Sequence, residues 1–203
     1  LVVYNDSTGC SDTMVKVIKF SNIDSFKFNV TKHIGCAPLK TVLTAVTDTN
    51  IVAYLWDLGG GFVFGNNYNA TYPNEGKYVV KMYIKYRNGC IMESTQKDTI
   101  TVLKAHANFN YDKASGCIPA LFNLKDSSYS KYSPINSIKW QFDDNSTSTA
   151  SNVTHTYNAI GSFPVKLQVQ NEFGCKDSIT KNVNVSTVKA DFDINVNDVC
   201  SGK

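Results

Sequence analysis

Apolar and polar residues alternate through Val165-Lys166-Leu167-Gln168-Val169, and the same period runs through Val80-Lys81-Met82-Tyr83-Ile84. A period of two sends successive side chains to opposite faces, so each stretch predicts a strand with one buried face. Ile138-Lys139-Trp140-Gln141-Phe142 alternates likewise, with apolar residues on either side of its Trp at i±2; Trp56 stands the same way between Tyr54 and Leu58. Followed along the chain, this pattern predicts strands near 26–31, 39–47, 51–58, 68–72, 77–86 and 98–103. A second set follows near 107–113, 119–126, 137–143, 152–157, 163–171 and 178–185. Gly and Asn turns lie between them. No segment combines a helical period with a cap and a stop, so almost no helix is expected.

The marks recur in the same order. Trp56, Ala70-Thr71-Tyr72, Gly76-Lys77-Tyr78 and Gly89-Cys90 are followed by Trp140, His155-Thr156-Tyr157, Gly161-Ser162-Phe163 and Gly174-Cys175. Cys10, Cys90 and Cys175 form one series, each preceded by Gly; Cys36, Cys117 and Cys200 form another, each with a Phe eight residues before it (Phe28, Phe109, Phe192). The intervals within both series, and between the two Trp, are 80 to 85 residues, a domain-sized repeat rather than a solenoid-sized one. Residues 1–23 then read as the last strands of an incomplete copy, 24–104 and 105–187 as two whole copies, and 188–203 as the start of another.

Short, closely spaced strands with this many turns indicate an all-β fold of tandem Ig-like β-sandwiches. Trp56 and Trp140 are expected at the centre of each sandwich. Tyr72 and Tyr157, four residues ahead of a Gly and six ahead of an aromatic, fit a tyrosine corner whose hydroxyl bonds to backbone.

Composition narrows the function classes. Across 203 residues, 42% hydrophobic and 18% charged side chains describe a globular chain. The net charge of +3 is scattered, which leaves no basic stripe for nucleic acid. No apolar run approaches the roughly 18 residues that cross a bilayer, so this segment is not expected to insert into a membrane. No two cysteines are close enough for the C-x-x-C of a zinc site, and structural disulfides in an oxidising compartment are the better reading.

The Trp-Asp turn, the Thr-Tyr pair, the Gly-x-aromatic and the long alternating strand together resemble PKD (polycystic kidney disease) domains. The first copy keeps Trp56, Asp57, Gly59 and Gly61; the second keeps Trp140, Phe142 and Asp144 but has Gln141, Asp143 and Asn145 where the motif has Asp and Gly. The Gly-Cys marks are similar to those in PKD arrays of giant surface adhesins from gliding and related Gram-negative bacteria. The resemblance implies an Ig-like sandwich, an extracellular cell-surface location, no catalysis by the module and no cofactor.

Asp143-Asp144, with Asp57 in its own copy, offers oxygens to calcium, but too few ligands to complete a site, so hydrogen-bonded turns are favoured. Gly59-Gly60-Gly61 lacks the helix N-terminus of a phosphate cradle and reads as a hairpin turn. His33, His106 and His155 fall at unrelated positions of the repeat and pair with no nucleophile. Asn29-Val30-Thr31, Asn69-Ala70-Thr71 and Asn152-Val153-Thr154 match a eukaryotic N-glycan acceptor; Asp12-Thr13-Met14, Asp98-Thr99-Ile100 and Asp177-Ser178-Ile179 match a short bacterial O-glycan acceptor.

The cysteines can be placed on such a sandwich. With an odd number of strands the chain comes in at one end, here the head, and leaves at the other, the tail. Cys36 and Cys117, between the first two strands, belong to the tail; Cys90 and Cys175, between the last two, belong to the head. A strand of about 20 Å separates the ends, whereas bonded cysteines need Cα atoms within about 7 Å. A Cys36–Cys175 bond between repeats is therefore expected, with Cys10, Cys90, Cys117 and Cys200 bonded to neighbouring repeats outside this segment. The rival pairing is Cys36–Cys90 with Cys117–Cys175. Two functions remain: a non-enzymatic structural segment of a long surface adhesin filament that spaces an adhesive tip from the cell, in attachment or gliding, or an accessory substrate-binding module of a secreted protease or glycanase. Tyr129 and Tyr132 offer an aromatic platform for the second. Expected partners are neighbouring repeats of the same chain, with surface polysaccharide or protein ligands for the full protein.

Overall fold

The computed structural model describes residues 2–4, 7–8, 11–14, 26–94 and 96–191. Cys10, Phe192 and Cys200 lie outside them, as does most of the two outer segments, 1–23 and 188–203. Among the described residues every regular element is a strand. β1 (Val2–Tyr4) pairs antiparallel with β2 (Ser11–Thr13).

The first sandwich has one sheet of β3 (Phe28–Val30), β5 (Leu39–Ala45) and β8 (Asn67–Tyr72), ordered β3-β5-β8. Its other sheet runs β4-β11-β9-β6-β7: β4 (Ile34–Cys36), β11 (Asp98–Leu103), β9 (Gly76–Tyr86), β6 (Ile51–Asp57) and β7 (Phe62–Phe64), with β10 (Ile91–Glu93) also on β9. The second sandwich repeats this plan. β12 (Phe109–Tyr111), β14 (Ala120–Asp126) and β17 (Asn152–Tyr157) make one sheet. β13 (Ser115–Cys117), β19 (Lys176–Ser186), β18 (Gly161–Asn171), β15 (Ile135–Gln141) and β16 (Thr147–Ser148) make the other. The fold is all-β, a tandem pair of Ig-like β-sandwiches.

Alternation fixes the faces. β5 buries Leu39, Thr41, Leu43 and Ala45 and turns the residues between them outward. The first core gathers Phe28, Leu43, Trp56, Val80, Met82 and Ile100; the second gathers Phe109, Phe122, Trp140, Val165, Leu167 and Val183.

Beside the unexpected short edge strands β7 and β16, two differences from the sequence expectation stand out. The first strand of each copy is split: β3 and β12 pair antiparallel with β5 and β14, while β4 and β13 cross to the other sheet and run parallel to β11 and β19. Cys36 and Cys117 therefore end short strands rather than sit in a turn. The last strand of the first copy is broken between β10 and β11. There Ser94 Oγ donates to Phe26 O, and the Gln96 side chain both accepts from Phe28 N and donates to Phe28 O, standing in for a strand partner.

Candidate functional site

Trp56 and Trp140 are fully buried, and each ring meets a Phe edge-on: Phe28 at 5.3 Å and Phe109 at 5.1 Å between centroids. The Phe eight residues before Cys36 or Cys117 is thus the Trp's packing partner. Each indole N–H donates to a carbonyl just past the neighbouring edge strand, Trp56 to Gly65 and Trp140 to Ala150, both at 2.8 Å. Tyr72 and Tyr157 are buried as well, but their hydroxyls have no hydrogen-bond partner among the described residues, which corrects the tyrosine-corner expectation. Burial, the largest cause, pushes both phenols up to about 12. In the first copy the backbone bond comes from Tyr78, whose Oη donates to Asn74 O at 3.0 Å. The second copy has Phe163 there, stacked on Tyr157 at 4.4 Å.

The Trp-Asp turns are closed by their own carboxylates. Asp57 accepts from Gly59 N, and Asp144 accepts from Ser146 N and Ser146 Oγ. The Ser146 side chain is the main reason that Asp144 titrates below the usual carboxylate range. Asn145 takes the left-handed conformation, φ 66°, that this five-residue loop requires. His155 stacks on Phe142 at 4.0 Å; its Nε2 lies 3.4 Å from Asp144 Oδ2, within ion-pair reach but without hydrogen-bond geometry. Among the described residues no three His, Cys, Asp or Glu side chains cluster as metal ligands would.

The chemistry of the pair is concentrated where one sandwich meets the next. Cys36, at the tail of the first, is bonded to Cys175, at the head of the second, with Cα atoms 5.3 Å apart and a sequence separation of 139. Turn geometry presents Cys175: Gly174 is left-handed (φ 82°), Gly174 N donates to Asn171 O, and Asn171 N donates to Cys175 O, a three-residue hairpin with Gly in its last position. Gly89 (φ 91°) does the same for Cys90. Cys90 and Cys117 are free and exposed.

Around the disulfide the connection is tied down rather than free. Leu103 and Ala105 are buried; His106 N donates to Tyr129 O, and Tyr129 N donates back to His106 O. Ala107 N donates to Asp177 Oδ2 at 2.8 Å. The His106 ring stacks on Tyr129 at 4.7 Å, and its Nε2 lies 3.0 Å from Glu75 Oε1 of the first sandwich. Lys77 of the first sandwich places Nζ 5.6 Å from the Tyr132 ring of the second. Tyr129 and Tyr132 thus both contact the junction, with Tyr129 still 57% exposed. The sequence does not single out Glu75 or Lys77, and it shows His106 only as a histidine without a nucleophile. The available signal was a departure from the repeat, because the second copy has Ile160 and Ser162 where the first has Glu75 and Lys77.

Residues 25–96 match one PKD domain family and residues 108–187 another, together covering most of the chain. The chain belongs to the PKD domain family. It is similar in structure to the PKD1 domain of the Vibrio cholerae metalloprotease PrtV, with 25% identity over 41% of this chain and 99% of that one, at a TM-score of 0.37. The PKD1 domain of Vibrio anguillarum Epp is similar at 19% identity over 42% of this chain and 96% of that one, at a TM-score of 0.38. No curated protein matches the chain. The assignment rests on the two family matches. PKD domains are commonly extracellular structural or binding modules and are typically non-catalytic; a disulfide between two of them is typical of proteins outside the cell.

Proposed function

We propose that these PKD domains form a non-enzymatic, disulfide-stapled segment of a cell-surface adhesin filament, holding an adhesive region away from the cell. The observation that carries this reading is the Cys36–Cys175 bond. A peptide linker alone leaves two domains free to pivot. A second covalent tie, at a different point of the contact, removes that freedom and makes a string of domains into a rod. The ordered connection through His106 and Ala107 supports the same reading.

Small-angle X-ray scattering of the oxidised and reduced chain tests the rod. The oxidised protein is expected to show one fixed maximum dimension, and reduction is expected to broaden the distance distribution. Identical profiles, or a peptide map joining Cys36 to Cys90, would overturn it. Antibody against this segment should label intact cells; labelling only after permeabilisation argues against surface placement.

One observation favours the second reading, an accessory binding module. Phe62 and Phe64, 65% and 77% exposed, stand on edge strand β7 of the first domain, where the register of the second domain places Thr147 and Thr149. Co-sedimentation with insoluble polysaccharide or fibrous protein, lost in Phe62→Ala/Phe64→Ala, would favour that role over a spacer.

A further inference from the structure

Among the described residues Cys90 and Cys117 are free, and each occupies a position whose counterpart is bonded. Cys36 pairs with Leu103 at the end of β4, and Cys117 pairs with Ser186 at the end of β13, so Cys117 stands at the tail of the second domain as Cys36 stands at the tail of the first. Cys90 closes the last hairpin of the first domain as Cys175 closes that of the second. Cys175 is buried against its neighbour, whereas Cys90 and Cys117 are exposed.

Side chains around these free cysteines differ in kind from those at the formed junction. Gly76 and Gly161 open equivalent strands, which aligns Glu75 with Ile160 and Lys77 with Ser162. Ala105 and Val188 each lie two residues past the strand end. The tail of the second domain therefore presents Ile118, Ile160 and Val188, the last two 61% and 77% exposed, where the first tail has Ala37, Glu75 and Ala105. The head of the first domain presents Val46 and Ile91 beside Cys90, both exposed, where the second head has Ser127 and Lys176. The formed junction buries Leu103 and Ala105 beside the Glu75–His106 contact, whereas each open end leaves apolar side chains exposed, Ile160 and Val188 at the tail and Val46 and Ile91 at the head.

We infer that the tail of the second domain is a docking face for another sandwich of this fold, one whose head carries a Gly-Cys hairpin rimmed by apolar residues, and that Cys117 bonds to that hairpin cysteine. This deepens the stapled-segment reading and rests on it. A second copy of this chain supplies such a head at Cys90. The bond forms by exchange with a disulfide donor: the Cys117 thiolate attacks the donor to give a mixed disulfide, and the hairpin thiolate then displaces the remaining donor thiolate. Two protein thiols become one disulfide, and the donor leaves as two thiols carrying the two electrons and two protons.

The test uses the whole chain with Cys10→Ser and Cys200→Ser, incubated in oxidised and reduced glutathione and mapped without reduction. Head-to-tail oligomers joined by Cys117–Cys90 links between copies are expected. Ile160→Asp, which puts a charge into the contact, should lower their yield about fivefold, while Cys117→Ser should abolish them. A Cys36–Cys175 link without Cys117–Cys90 links, Cys117 joined to itself across two copies, or an Ile160→Asp yield equal to wild type overturns this inference alone. Absence of the Cys36–Cys175 link overturns the stapled-segment reading itself.

Discussion

Replacing both Cys36 and Cys175 by Ser removes the staple without leaving a lone thiol, and its cost follows from the loop it closes. With a sequence separation of 139 between the cysteines, the chain-entropy relation gives about 5 kcal/mol at 25 °C if everything between them unfolds together. Either domain can unfold while the other stays folded. For the first, the closed loop then runs from Cys36 to the connection beyond Leu103; for the second, from that connection to Cys175. Each loop is roughly 70 residues, and each gives about 4 kcal/mol. Measured disulfides commonly deliver 2–4 kcal/mol, so that loss is expected in both domains. Trp fluorescence during guanidinium unfolding can read them separately, because each domain holds one of the chain's two Trp. Trp56→Phe leaves the second domain as reporter, and Trp140→Phe leaves the first. If both domains lose less than about 0.5 kcal/mol in the double-Ser variant, the staple does not constrain the unfolded chain and the reasoning fails.

Trp140→Ala, which empties the centre of the second core and deletes the bond to Ala150 O, should cost about 3–5 kcal/mol in thermal unfolding; a variant that melts with wild type would refute the packing. Tyr72→Phe should be neutral or slightly stabilising in urea, because it removes a buried hydroxyl with no partner among the described residues, and a loss above about 1 kcal/mol would show that the hydroxyl is bonded. Tyr72 holds its proton up to about 12 when folded but to near 10 when unfolded; stability should therefore fall as pH rises through that window, less so in Tyr72→Phe. Asp144 has the opposite sign: its folded value is depressed, so its contribution is present above the unfolded value and lost as pH falls through the folded one. Asp144→Asn should flatten the acid limb of the melting curve, and an unchanged limb would remove the turn carboxylate from the account. Chelator should leave the melting temperature within a few degrees; a large drop would point to a bound ion that stabilises the fold.

Long alternating strands were legible because burial on one face imposes a period on the sequence: β9, β18 and the Trp strands stood out for that reason. The three-residue strands β4, β7 and β13 were not, since three residues cannot establish a period. The crossing from β3 to β4 depends on which sheet each edge meets, a long-range outcome. Tyr72 and Tyr157 are buried aromatics, but the Gly-x-aromatic spacing did not say which hydroxyl reaches backbone; in the first domain it is that of Tyr78. The junction was legible only where cysteine chemistry marks it. Glu75 and His106 are ordinary polar residues locally, and their meeting depends on how the two domains sit against each other.

The split first strand has a mechanical consequence. β4 and β13 run parallel to the last strand of their own domains, joined to it by ladder bonds across the sheet. Tension along the domain pulls the two strands of such a pair past each other, so their bonds are loaded in shear and must yield together rather than peel one at a time. Cys36 closes the same edge at the end of β4, and the staple passes tension to the neighbouring hairpin without routing all of it through residues 104–108. The first sandwich thereby has a shear-loaded clasp and a covalent bypass at the same end, so tension reaches the second domain along two paths.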